Sequence, residues 1–194
     1  MVSVIIATHE SERALVRTLA ALVAGAAAGA VREVIVSDAK SSDATLDVAD
    51  LAGCRIVVSE ATLGARLRAA ASLARAPWLM FLKPGMVLDA TWIDETGRFI
   101  AEDDGRDQVR SRAAVFRPAP PTSARQPAVI EAFSLLGAAL GCRPRPEQGL
   151  LIARQLYDLL GGHRDSTADP ERDLIRRVGR RRTVMLRSGA AVVR

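Results

Sequence analysis

The chain has 194 residues, 49% apolar and 25% charged, which suits one globular domain with a sizeable core and leaves too little for two. Only 4% is aromatic, which argues against a base-stacking surface for single-stranded nucleic acid. The net charge of +5 is carried almost wholly by arginine, since Lys40 and Lys83 are the only lysines, and it fits an anionic ligand or surface.

The N-terminus enters a β-branched run at once, Val2–Ala7, without the basic n-region of a secretory signal. Thr8-His9-Glu10-Ser11 breaks that run, and Ser11 is placed to cap a helix over Glu12–Ala28, with Leu15, Leu19 and Leu22 on one face. Arg17 interrupts the apolar stretch from Ala14 to Val31, and its alanine content reads as a packed helix instead of a membrane span. A second strand, Glu33–Val36, runs into the polar turn Ser37–Asp43. A helix then reaches from about Ala44 to Ala52-Gly53.

Arg55–Ser59 is a third strand, Leu63–Arg75 an alanine-rich helix, and Trp78–Leu82 a fourth strand stopped by Lys83-Pro84-Gly85. Strands alternating with helices predict an α/β fold with a mostly parallel sheet. Beyond it, helices are expected over Ala90–Ile100 and Val129–Leu140, and a strand over Ala113–Arg117. Pro118–Pro127 is too rich in proline for a regular element. Gln148–Ile152 reads as a short strand or turn, followed by a helix to Leu160 closed by Gly161-Gly162. A basic helix starts at Asp173, and Thr183–Leu186 with Ala190–Val193 forms terminal strand. Cys54 and Cys142 are isolated thiols with no pairing motif, and the expectation is a cytoplasmic protein.

Ligands of open α/β sheets bind beyond the carboxyl ends of the strands. Here those ends carry Thr8-His9-Glu10, Ser37-Asp38 and Lys83-Pro84-Gly85, which predicts one shared pocket. Asp38 suits a base imide or a ribose hydroxyl, or else caps its turn. Asp43 is placed to cap the following helix or to meet a ligand.

Val2–Thr8, Arg17-Thr-Leu19 and Glu33–Thr45 together resemble the start of a family-2 glycosyltransferase. The similarity continues through Leu63–Ala71, Trp78–Leu82, Glu147–Ala153, Leu160–Gly162 and a charged segment over Asp169–Arg182, so it covers nearly the whole chain. It implies a GT-A α/β/α sandwich in one domain, with a nucleotide-binding half over 1–89 and an acceptor half over 90–194. The implied reaction moves a sugar, with inversion, from a nucleotide-diphosphate donor to an acceptor hydroxyl. Thr8, His9 and Asp38 then fall where base and ribose are held. Asp169 or Glu171 falls where a general base acts, and Glu171 aligns best.

The pattern departs from the family at the metal. Members usually hold Mg²⁺ or Mn²⁺ with an acidic motif after the fourth strand, and here Gly85 stands in place of its Asp. Asp89, four residues on, needs a different loop path to substitute. Lys83 as a point charge, with a fork from Arg66 or Arg68, is the candidate replacement at the diphosphate. Ala7, Glu10, Ala39 and Ala44 also replace residues usual in the family.

Three readings stay open: an enzyme acting without a metal, an inactive relative that binds a nucleotide or a partner, and a basic peripheral protein. The third would use Arg176, Arg177, Arg180, Arg181, Arg182 and Arg187 on an anionic membrane, with nucleic acid the less expected partner.

Overall fold

A computed structural model describes residues 1–104, 111–119 and 144–193. The described strands are β1 (Val2–Thr8), β2 (Val31–Asp38), β3 (Arg55–Val58), β4 (Trp78–Leu82), β5 (Met86–Leu88), β6 (Ala113–Pro118), β7 (Leu150–Ala153) and β8 (Thr183–Val192). The described helices are α1 (Glu12–Ala27), α2 (Thr45–Leu51), α3 (Leu63–Leu73), α4 (Trp92–Asp103), α5 (Arg154–Leu159) and α6 (Pro170–Val178).

One sheet runs in the order β3-β2-β1-β4-β7-β6-β8-β5. Its first four strands are parallel, as buried β-branched runs joined by helices require. Antiparallel pairing enters at β4–β7, β6–β7 and β5–β8. Alternate β1 side chains separate two cores. Val4 and Ile6 pack with Leu15 of α1 and with Trp92 and Phe99 of α4, whereas Ile5 packs with Leu67 of α3, Tyr157 of α5 and Leu174 of α6. The result is the expected α/β/α sandwich.

The differences from the sequence reading are local. Ser11 occupies the N-cap position of α1, but its hydroxyl donates to the His9 carbonyl and leaves the helix uncapped. Asp43 of the neighbouring loop accepts from the Glu12 N–H instead, at 3.1 Å. Strand β5 was not expected; it is three residues long, and its pairing with β8 ties the end of the first half of the chain to the terminal strand. The terminal strand is continuous from Thr183 to Val192. The last helix begins at Pro170, three residues before the expected start, because Asp169 accepts from the Arg172 N–H and proline is preorganised for the first helical position. Residues 180–182 follow the helix stop at Gly179 and form a turn.

The expected helix over Val129–Leu140, most of Pro118–Pro127, and Cys142 lie outside the described residues. Burial pushes the Cys54 thiol up to about 11, so it is an unreactive half-buried side chain. Among the described residues, no helix is long and apolar enough to cross a membrane.

Candidate active site

The carboxyl ends of β2, β1 and β4 lie side by side, and register fixes what meets there. Thr8 pairs with Asp38 across β1–β2, and Ile6 pairs with Leu82 across β1–β4, which puts Lys83 just beyond the neighbouring strand end. Thr8 Oγ1 donates to Asp38 Oδ2 at 2.6 Å, and Ser41 donates to the same carboxylate from its hydroxyl (2.7 Å) and its N–H (2.6 Å). Burial alone would raise the Asp38 carboxyl. The Ser41 and Thr8 hydrogen bonds and the nearby Arg66 charge outweigh it and hold the group below the usual carboxylate range.

Three of the roughly four lone-pair directions of Asp38 are thus taken within the protein. The residue is 0% exposed and Thr8 2%, so this pair first of all shapes the strand-end loops. Those loops are laced together. Glu10 accepts from the Ser42 N–H at 2.6 Å, Ser41 Oγ accepts from the Glu10 N–H, and Thr45 Oγ1 accepts from the Ser11 N–H. His9 stands exposed at the rim.

The two arginines read as phosphate forks are engaged elsewhere. Arg66 is buried and donates from Nη1 to the carbonyls of Thr8 (3.1 Å) and Ser37 (2.8 Å), so it staples α3 beneath β1 and β2. Its spacing from Ala70 and Ala74, both buried, marks it as part of the inner face of α3, a signal the sequence did carry. Arg68 donates to the His163 carbonyl and to Asp165, clamping the loop after α5. Gly64 lets that loop lie directly on α3, where a Cβ would collide with the Arg164 carbonyl. Gly64→Ala should therefore lower stability by about 2 kcal/mol in urea unfolding.

Past β4 the chain builds an ionic cluster. The Lys83 ammonium lies 3.0 Å from Glu171 Oε2 at the start of α6 and 3.5 Å from Glu147 Oε1, in the 3₁₀ turn Pro146–Gln148 before β7. The Glu171 side chain is 16% exposed and that of Lys83 33%. Burial pushes the Glu171 carboxyl above the usual carboxylate range, and the Lys83 charge opposes this without cancelling it. Burial works against the Lys83 charge too, but Glu171 and Glu147 prevail and hold the ammonium above the ordinary lysine range. Asp169, the other candidate base, is exposed and caps α6. Glu147 is the member of this cluster that motif reading did not single out.

This cluster does not fit a divalent cation. Gly85 has φ +85°, and a Cβ there would lie 2.7 Å from the Val193 carbonyl, so the turn excludes any side chain at the position of the expected Asp. Asp89 is committed to its own loop, accepting from Thr91, Ser188 and the Gly189 N–H. Among the described residues, no three His, Cys, Asp or Glu side chains are grouped to hold a metal ion.

Among the basic C-terminal residues Arg176, Arg180, Arg181 and Arg187 are exposed, but Arg177 is not. Arg177 turns inward, pairing with Asp173 and donating to the Leu160 and Gly162 carbonyls. Arg176 and Arg180 border a cavity with Arg145 and Arg172.

The family model described as Glycosyl transferase family 2 matches residues 3–105, more than half of the chain. The chain belongs to glycosyl transferase family 2. The fold is GT-A, and the solved structures similar to it agree. Staphylococcus aureus TarS 1-349 superimposes with a TM-score of 0.73 at 15% identity, covering 99% of this chain and 60% of that one. The TarS 1-349 complex with UDP-GlcNAc gives 0.68 at 16% identity, covering 100% of this chain and 58% of that one. Mycobacterium tuberculosis glucosyl-3-phosphoglycerate synthase, with Mn²⁺, UDP-glucose and phosphoglyceric acid, gives 0.63 at 19% identity, covering 95% of this chain and 68% of that one. This family 2 chain therefore spans about 60% of the length of TarS 1-349. No curated protein sequence matches it.

Proposed function

We propose that this family 2 domain transfers a sugar from a nucleotide-diphosphate donor to an acceptor hydroxyl, with Lys83 supplying the positive charge that a divalent metal supplies elsewhere. The observation that carries this reading is the Lys83 ammonium set between Glu171 and Glu147 at the carboxyl end of β4. UDP-sugars in the TarS and glucosyl-3-phosphoglycerate synthase complexes make a UDP-sugar the donor to try first. Residues 1–89 take the donor and 90–194 the acceptor. The nucleotide lies along the loops that Thr8 and Asp38 hold in place, beside His9.

In the reaction Glu171 accepts the acceptor's hydroxyl proton as the oxygen attacks the anomeric carbon. The new C–O bond forms as the bond from that carbon to the diphosphate breaks, inverting the centre. The departing oxygen keeps the electron pair, and Lys83 stabilises its charge. A diphosphate that draws Lys83 to itself also loosens its hold on Glu171. That carboxylate, already raised by burial, then becomes a stronger base.

Donor turnover should proceed equally in EDTA and in Mn²⁺, and Glu171→Gln should slow it about 10²- to 10⁴-fold. Because the ionised carboxylate is the active form, the rate should climb with pH through the raised Glu171 value. Failure of every nucleotide diphosphate to raise the melting temperature would sink the proposal. The engagement of Arg66 and Arg68 away from the cluster favours a second reading, an inactive relative that binds nucleotide or a partner. Donor binding without turnover would select it.

A further inference from the structure

A cavity of about 310 Å³ lies beside α6, lined by Arg145, Arg172, Arg176 and Arg180 with Ile175 and Thr183 among the residues between them. None of the four guanidinium groups has an acidic or carbonyl partner among the described residues. Arg66, Arg68, Arg112 and Arg177, by contrast, are all bonded to carboxylates or carbonyls. Four like charges around one concavity repel one another, and among the described residues no ion pair engages any of them.

The helix dipole does not explain the arrangement. It favours Arg176 in the last turn of α6, but it disfavours Arg172 in the first turn and does not act on Arg145, which precedes the 3₁₀ turn. Planar forks converging on a pocket match the oxygens of a phosphate, whose charge of about −1.5 to −2 suits several guanidiniums better than a single carboxylate does.

The cavity also leads toward the ionic cluster. Arg145 borders a second cavity lined by Glu147 and Gln148, and Glu147 is paired with Lys83. Arg172 directly follows Glu171 in the chain. Arg176 stands about 6 Å beyond Arg172 along the helix axis, at about 1.5 Å per residue.

We propose that the arginine cavity binds a phosphate or pyrophosphate group, and that this group is the anchored end of the acceptor whose hydroxyl reaches Glu171. The acceptor role rests on the sugar-transfer reading above; phosphate binding in the cavity does not. The phosphate belongs either to a soluble ester or to a lipid headgroup.

Inorganic pyrophosphate titrated by calorimetry tests the site. All three helix-side arginines are exposed and have no partner among the described residues, so Arg172→Gln/Arg176→Gln/Arg180→Gln should keep or slightly raise the native melting temperature. It should bind pyrophosphate at least about tenfold more weakly. Lys83→Met should change that affinity by less than about threefold, and UDP binding should be the same in the triple variant as in the native chain. Native pyrophosphate affinity in the triple variant, or loss confined to Lys83→Met, overturns the proposal. A parallel loss of UDP binding overturns it too, because the two anions would then share one site. Failure of UDP to bind either protein defeats the sugar-transfer reading alone and leaves the pyrophosphate result standing.

Phosphatidylcholine vesicles containing phosphatidic acid separate the sources. Sedimentation with vesicles that pyrophosphate reverses identifies a lipid headgroup. Pyrophosphate binding without sedimentation identifies a soluble ester.

Discussion

Lys83→Met is expected to reduce donor turnover about 10²- to 10³-fold and to lower stability at pH 8 by about 2 kcal/mol. The first effect follows from its place at the end of β4, where the developing charge of the leaving diphosphate needs a fixed cation. The second follows from what remains: the largely buried Glu171 and its neighbour Glu147 would both lose the ammonium that pairs them. The cost is set below that of a fully buried pair because a third of the Lys83 side chain meets solvent. Glu171→Gln in the same chain should recover most of the stability and none of the turnover, which separates the fold from the chemistry.

The pH dependence of stability gives a second readout of the same variant. A carboxyl whose folded value lies above its unfolded value binds more protons in the native state, so its ionisation lowers stability as pH rises from the unfolded value through the folded one. Glu171 already behaves this way with Lys83 beside it. Without the ammonium its value climbs further, and the loss extends to higher pH. Lys83 contributes with the same sign at the alkaline end. Its value is raised in the fold, so its stabilisation is complete below the unfolded value of 10.5 and disappears as pH passes the higher folded one. Urea unfolding of the native chain and of Lys83→Met between pH 5 and pH 9 should therefore diverge steadily with rising pH; parallel curves would mean that the pair carries no energy.

The parallel half of the sheet was legible because its signals are local. Val2–Thr8 and Trp78–Leu82 are apolar runs ended by abrupt polar breaks, which set Thr8 beside Asp38 and place Lys83 at the end of the neighbouring strand. Strand β5 escaped notice because three residues carry no periodicity, and its existence depends on β8, about a hundred residues away. Arg66 and Arg68 show a different failure. Residue type suggested phosphate, but helical position decides direction: Arg66 shares the inner face of α3 with Ala70, and Arg68 meets a loop that no pattern in α3 announces. Glu147 and Glu171 are 24 residues apart and become neighbours only through Lys83, so the ionic cluster was visible as separate motif fragments and not as a unit. The arginine cavity was hidden for the same reason. A basic run reads as a solvated helix face until Arg145 is found opposite it.

Gly85→Asp restores the acidic residue expected from the family pattern, and it should fail to restore a metal site. At φ +85° a non-glycine residue is strained by about 1 kcal/mol or more. Its Cβ would also press on the Val193 carbonyl, which is backbone and cannot swing aside as a side chain would. The Val193 N–H donates to the Gly85 carbonyl at 2.8 Å, and the Gly85 N–H donates to the Ala14 carbonyl at 3.0 Å, so moving the turn disturbs both β8 and α1. A buried carboxylate facing a carbonyl oxygen adds desolvation without a donor to offset it. The sum is a loss of about 4 kcal/mol, most of it shared by Gly85→Ala, which carries the strain and the collision but no charge. Mn²⁺ should not raise the melting temperature of Gly85→Asp, because Lys83 still holds Glu171 and Glu147. A manganese-dependent rise of several degrees, with turnover that then became sensitive to EDTA, would show that the turn tolerates a side chain and that Lys83 gives way to a metal.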